Sequence, residues 1–121
     1  MGIWIRTAAY HLWFADLFQI RKVKTFIGNL NKAFESRVRL GMMSILMVND
    51  YVDFGTLKDQ LQITDGNLAS HIAALEKLGF IEIRKQFIGK KPNTSYVATA
   101  VGKNAFIAHL DALEKLIHHS I

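Results

Sequence analysis

The sequence predicts one mainly α-helical domain carrying a small β-hairpin. Three observations point there. Apolar residues recur at three- and four-residue steps between residues 30 and 78 and again between 106 and 117. Two short alternating runs flank a polar stretch that holds the only proline. A chain of 121 residues has the size of one domain, large enough to bury a core and too small to divide into two independent ones.

Composition agrees with this. The chain is 50% hydrophobic and 21% charged, a globular balance. It has no cysteine, which excludes disulfides, thiolate zinc sites, iron–sulfur clusters and cysteine nucleophiles and fits a reducing cytoplasm. The net charge of +5 falls in blocks. Basic and acidic side chains number seven and two in residues 1–40, one and five in 41–76, five and one in 77–91, and two and two in 92–121. An acidic segment followed by a compact basic one suits a protein that meets a polyanion with one face.

Three regions are expected. The first, residues 1–27, is aromatic-rich: Trp4, Tyr10, Trp13, Phe14, Leu17 and Phe18 cover more than one face of any helix drawn through them. Such a helix is buried, for instance against a second chain, unless these residues precede the natural start. Arg6, His11, Asp16 and Gln19 interrupt residues 3–20, so a membrane span is not expected. A tether lying in the bilayer interface stays open as an alternative. The cleft between these aromatics and the last helix is a candidate seat for an unidentified small-molecule effector.

The second region, residues 28–99, is the central domain. Leu30, Phe34, Val38, Met42, Ile45 and Leu46 read as one helix or as two meeting near Gly41. Val52 to Phe54 allow a short strand, and Thr56 to Leu61 a short helix with Leu57 and Leu61 on its buried side. The turn Gln62-Ile63-Thr64 follows. Thr64 suits an N-cap and Asp65 the positive end of a helix dipole, so a new helix is expected over 65–78, stopping at Gly79. Leu68, Ile72, Leu75 and Leu78 form its apolar stripe; Asn67, Ser70, His71, Ala74 and Lys77 face the other way. Strands near 80–85 and 96–99 then flank a loop, Gly89 to Thr94, with a basic tip. The third region, residues 100–121, is a helix capped by Thr99, with Phe106, Leu110, Leu113 and Ile117 on the face expected to pair with a second copy.

Two helices joined by a tight turn, the second with a small polar face, can enter a groove about 12 Å wide, and a basic hairpin next to them makes the arrangement a winged helix-turn-helix. On this reading Asn67, Ser70 and His71 meet base edges. Thr64, Lys77, Arg84, Lys90, Lys91, Asn93 and Thr94 meet the backbone or minor groove. The stretches Asp53-Phe54 to Leu57, Thr64-Asp65-Gly66-Asn67-Leu68-Ala69-Ser70-His71, Leu75-Glu76-Lys77-Leu78-Gly79-Phe80, and Gly89-Lys90-Lys91-Pro92-Asn93-Thr94-Ser95-Tyr96 with Thr99 resemble the winged-helix DNA-binding domains related to the MarR and ArsR transcriptional regulators. The resemblance spans roughly residues 28–118. It implies a homodimer on double-stranded DNA, with recognition helices in successive major grooves and wings beside the minor groove.

Other classes lack their parts. No glycine-rich phosphate loop, nucleophile elbow or close pair of carboxylates is present, so no enzyme and no cofactor is expected. Metal sensing is not expected either: among His109, His118 and His119 none stands three or four positions from another, and Glu114 with His118 alone is as readily a surface ion pair. A rival reading keeps the fold as a protein-interaction module without DNA binding.

Overall fold

The computed structural model describes residues 23–119. The aromatic segment from Trp4 to Phe18 lies outside them. The chain divides into two compact units, which among the described residues comprise 31–107 and, separately, 23–30 with 108–119.

The first unit opens with a 3-10 turn, Lys32–Phe34, whose preceding residue Asn31 accepts the Ala33 amide on its side chain at 2.9 Å. Helix α1, Arg37–Met47, begins when Ser36 takes up the Arg39 amide. The expected break therefore falls at Glu35 and Ser36, where a side chain competes for the first free amides, and α1 runs through Gly41 unbroken. Strand β1, Val52–Asp53, leads directly into α2, Phe54–Leu61. That helix starts two residues earlier than Thr56 because the Asp53 carboxylate accepts the Thr56 amide at 2.7 Å. Gln62, in the left-handed region at φ 53°, ends it.

Helix α3, Asp65–Lys77, is capped by Thr64 as expected and buries Leu68, Ile72 and Leu75. Leu78 breaks the stripe: it is 50% exposed. The reason is the helix exit. Gly79 at φ 75° donates to the Glu76 carbonyl, and Phe80 donates to the Leu75 carbonyl, the paired bonds of a Schellman motif. That turn throws Leu78 outward and returns Phe80 to the core. Phe80 then stacks on Phe34 with centroids 5.4 Å apart, and Phe34 meets Phe106 edge-on at 5.2 Å.

The hairpin joins β2, Ile81–Ile88, to β3, Lys91–Ala98, in the sheet order β1-β3-β2. It is longer than the sequence suggested, with a turn of only Gly89 and Lys90 between Ile88 and Lys91. Gly89 at φ 66° supplies the conformation that a two-residue turn needs. Pro92, Asn93 and Thr94 are consequently strand residues and not loop residues. Ile88 and Lys91 close the turn as a bonded pair, so the next pair, Phe87 and Pro92, exchanges no backbone bonds and tolerates a proline.

Helix α4, Ala100–His119, begins at Thr99, whose hydroxyl accepts the Gly102 amide at 3.0 Å and donates to the Gly79 carbonyl at 2.6 Å. One side chain thus ties the exit of α3 to the start of α4. The core of this unit gathers around Phe34, Met42, Met43, Leu46, Leu57, Leu68, Leu75, Ile81 and Phe106. Burying each such side chain stabilises the fold by about 1.5–3 kcal/mol.

In the second unit residues 23–28 are helical, and Lys115 places its ammonium 6.0 Å from the Phe26 ring centroid while pairing with Asp111 at 3.0 Å. His109 and Ala112 are buried. Among the described residues no helix is long and apolar enough to cross a membrane.

Candidate nucleic-acid interface

The outer surface of α3 is built from small side chains. Gly66, Asn67, Ala69, Ser70 and Ala73 are all exposed, and Lys77 closes the row. Open space surrounds Gly66. A helix with such a surface can approach a base-pair edge closely, whereas bulky residues would hold it off. Ala69 and Ala73 extend the face that Asn67 and Ser70 marked in the sequence. His71 sits on the flank, half-buried, with Nδ1 accepting a hydrogen bond from Arg39 Nε of α1 at 3.1 Å. Burial, and then the charge of Arg39, holds the His71 imidazole below its ordinary pKa of 6.5. Thr64 has its hydroxyl on the Asn67 amide at 3.3 Å.

The one acid in the first turn of α3 is neutralised locally. Lys58 of α2 lies 2.7 Å from the Asp65 carboxylate, and that contact raises the lysine's pKa. An anion at the mouth of the helix would otherwise repel a phosphate, while the helix N-terminus attracts one.

Register sorts the cations of the wing. Residues directly opposite share a face, so Ile81 with Ala98, Ile83 with Tyr96, Lys85 with Thr94 and Phe87 with Pro92 form one side. That side is the core side at its base, where Ile81, Tyr96 and Ala98 are buried and Tyr96 has its pKa raised by burial and by Glu76 of α3. Arg84, paired with Ser95, points to the opposite side, together with Gln86, Asn93, Ile88 and Lys91. Lys85 therefore continues the side that meets α3, and Arg84 does not. Period-two alternation counted outward from Ile81 would have found Lys85 in the sequence; Arg39, 32 residues before its partner, left no such signal. From residue 83 to 98 there are four cations and no acid. Lys90 stands at the turn, and Phe87, 76% exposed, and Ile88 stand beside it. Asn93 and Thr94 are half-buried, Asn93 lining a shallow groove with Tyr51, Asp53 and Thr56.

On α4 the four expected pairing residues part company. Phe106, 3% exposed, belongs to the core of its own chain, whereas Leu113 is half-buried and Leu110 and Ile117 are 43% and 68% exposed. Glu114 and His118 form an exposed pair at 3.7 Å. Among the described residues no three metal-ligating side chains cluster.

Residues 38–117 match the winged helix DNA-binding domain family. This chain belongs to that family. A relative, an uncharacterized protein of Methanocaldococcus jannaschii, is 39% identical over 75 residues, 62% of this chain and 82% of the relative. Among solved structures, the transcriptional regulator homologue of Pyrococcus horikoshii OT3 superposes with a TM-score of 0.71 at 28% identity, covering 81% of this chain and 95% of that one. A MarR-family transcriptional regulator of Enterococcus faecalis V583 gives 0.60 at 26% identity, covering 78% and 82%. The winged helix of this chain is thus of the kind found in MarR-like regulators, with α2 and α3 as its helix-turn-helix and β2–β3 as its wing.

Proposed function

We propose that this winged helix protein is a cytoplasmic, homodimeric transcriptional regulator that binds double-stranded DNA. It lays α3 in the major groove, with Asn67, Ser70 and His71 at base edges. The wing touches backbone or minor groove through Lys85, Lys90, Lys91, Asn93 and Thr94, with Thr64 and Lys77 on neighbouring phosphates; Arg84, on the other side of the hairpin, lies outside this contact set. The observation that carries this reading is the juxtaposition of a small-surfaced helix with a wing that bears four cations and, beyond Glu82 at its base, no acid. Exposed Leu110 and Ile117, with half-buried Leu113, support residues 100–121 as a pairing helix that places two copies of α3 on half-sites about one DNA turn apart.

An anisotropy titration against random duplex at two salt concentrations tests it. Lys90→Ala with Lys91→Ala should weaken binding to all sequences and flatten the log–log salt dependence by about 3.6 for the dimer, about 0.9 for each phosphate that the two wings no longer neutralise. An unchanged slope removes the wing from the mechanism. A wild-type protein without salt-dependent affinity would instead be a protein-interaction module.

A further inference from the structure

The hydrogen bond between α1 and α3 has a direction that cannot reverse. A guanidinium has donors and no acceptor, so Arg39 can only give its Nε–H to His71, and Nδ1 of His71 must receive it. A neutral imidazole carries one proton, so that proton is on Nε2. Nε2 makes no hydrogen bond among the described residues, and His71 stands one position from exposed Ser70 on the helix proposed to meet the bases. Arg39 lies in the first turn of α1, where Ser36 accepts its backbone amide, and the residue is half-buried.

We propose that Arg39 is a positioning residue that locks His71 in the Nε2–H tautomer and so makes it a hydrogen-bond donor, one that selects acceptor edges such as guanine N7 and O6 or thymine O4 over the amino group of cytosine. The inference rests on the reading of α3 as the base-reading helix. Unlocked, the ring could turn or exchange tautomers and accept from an amino group equally well, and the position would discriminate less. Burial together with the nearby guanidinium keeps the ring neutral at pH 7, so a single tautomer and not an imidazolium faces the groove.

Two measurements on the full chain test it. Nitrogen-15 NMR of the free protein at neutral pH should show His71 protonated at Nε2, with a nitrogen–nitrogen coupling across the bond to Arg39 that Arg39→Met abolishes. The duplex probe is a library with a randomised central segment, from which the wild type selects its preferred site. On that site Arg39→Met should lose about three- to tenfold of the preference at one base pair, the worth of one hydrogen bond. In a His71→Gln background, where an amide can donate whatever residue 39 is, the same change should alter that preference by less than about twofold. Protonation at Nδ1 in the wild type overturns the lock by itself, as does an Arg39→Met protein that folds and discriminates as the wild type does. The expected spectrum in a protein that selects no sequence overturns the reading of α3, and with it the role of Arg39.

Discussion

Single side chains set where the helices begin. Asp53 holds α2 by accepting the Thr56 amide, and that bond keeps its carboxyl below the usual 3.8. A pKa lower in the folded chain than in the unfolded one means that the unfolded state binds the proton first. The contribution is therefore complete above about pH 4 and is lost as pH falls through the folded value. Asp53→Ala should cost about 1 kcal/mol at neutral pH by chemical denaturation, and the difference from wild type should shrink toward pH 3. His71 follows the same sign in a higher window, since its folded pKa is also depressed. Its contribution is present above 6.5 and is lost as acid protonates the ring and deprives Arg39 of its acceptor. Gly102 is a different kind of constraint. A Cβ there would overlap the Phe80 carbonyl and stand 2.8 Å from the Phe80 backbone carbons, none of which can swing aside. Gly102→Ala should lower stability by about 3 kcal/mol or more despite alanine's better helix propensity, and a thermal melt against wild type checks this.

At the scale of elements, what the sequence disclosed were the features written in adjacent residues. Thr64, Asp65 and Gly79 mark the ends of α3 because caps and left-handed exits demand particular side chains at particular positions. The elements misjudged were those settled by partners distant in the chain. The apolar spacing that included Leu78 could not show that Phe80 replaces it, because that follows from the aromatic stack with Phe34 and Phe106. The wing looked short because Lys91-Pro92-Asn93-Thr94 has the composition of a loop. Pairing with Lys85 to Ile88 overrides local preference once Gly89 has made the turn. The small exposed surface of α3 at Asn67 and Ser70 was legible for the same local reason as its caps, whereas the bond from Arg39 was not, since it needs α1 and α3 already packed.

For the molecule as a whole, α4 divides its apolar face between two tasks. Phe106 completes the core that the rest of the winged helix depends on, and Leu110 and Ile117 keep substantial apolar surface in water. If a second copy covers that surface, Leu110→Glu with Ile117→Glu should give a folded monomer by sedimentation. That monomer should bind a single half-site more weakly and without cooperativity. A variant that still sediments as a dimer places the pairing surface elsewhere.

The wing has one more property, which concerns association of protein with itself. Strand β1 covers β3 only at Ser95 and Tyr96, so the ribbon from Lys91 to Thr94 presents an open edge, and β2 presents another. Open edges beside exposed Phe87 and Ile88 invite ribbon-to-ribbon pairing. Pro92 offers an incoming strand no N–H, and Arg84, Lys85, Lys90 and Lys91 repel a second copy of themselves. On the proposed DNA-binding reading, the wing charges that would meet a polyanion also keep wings apart in its absence, so solubility and DNA affinity would draw on shared side chains.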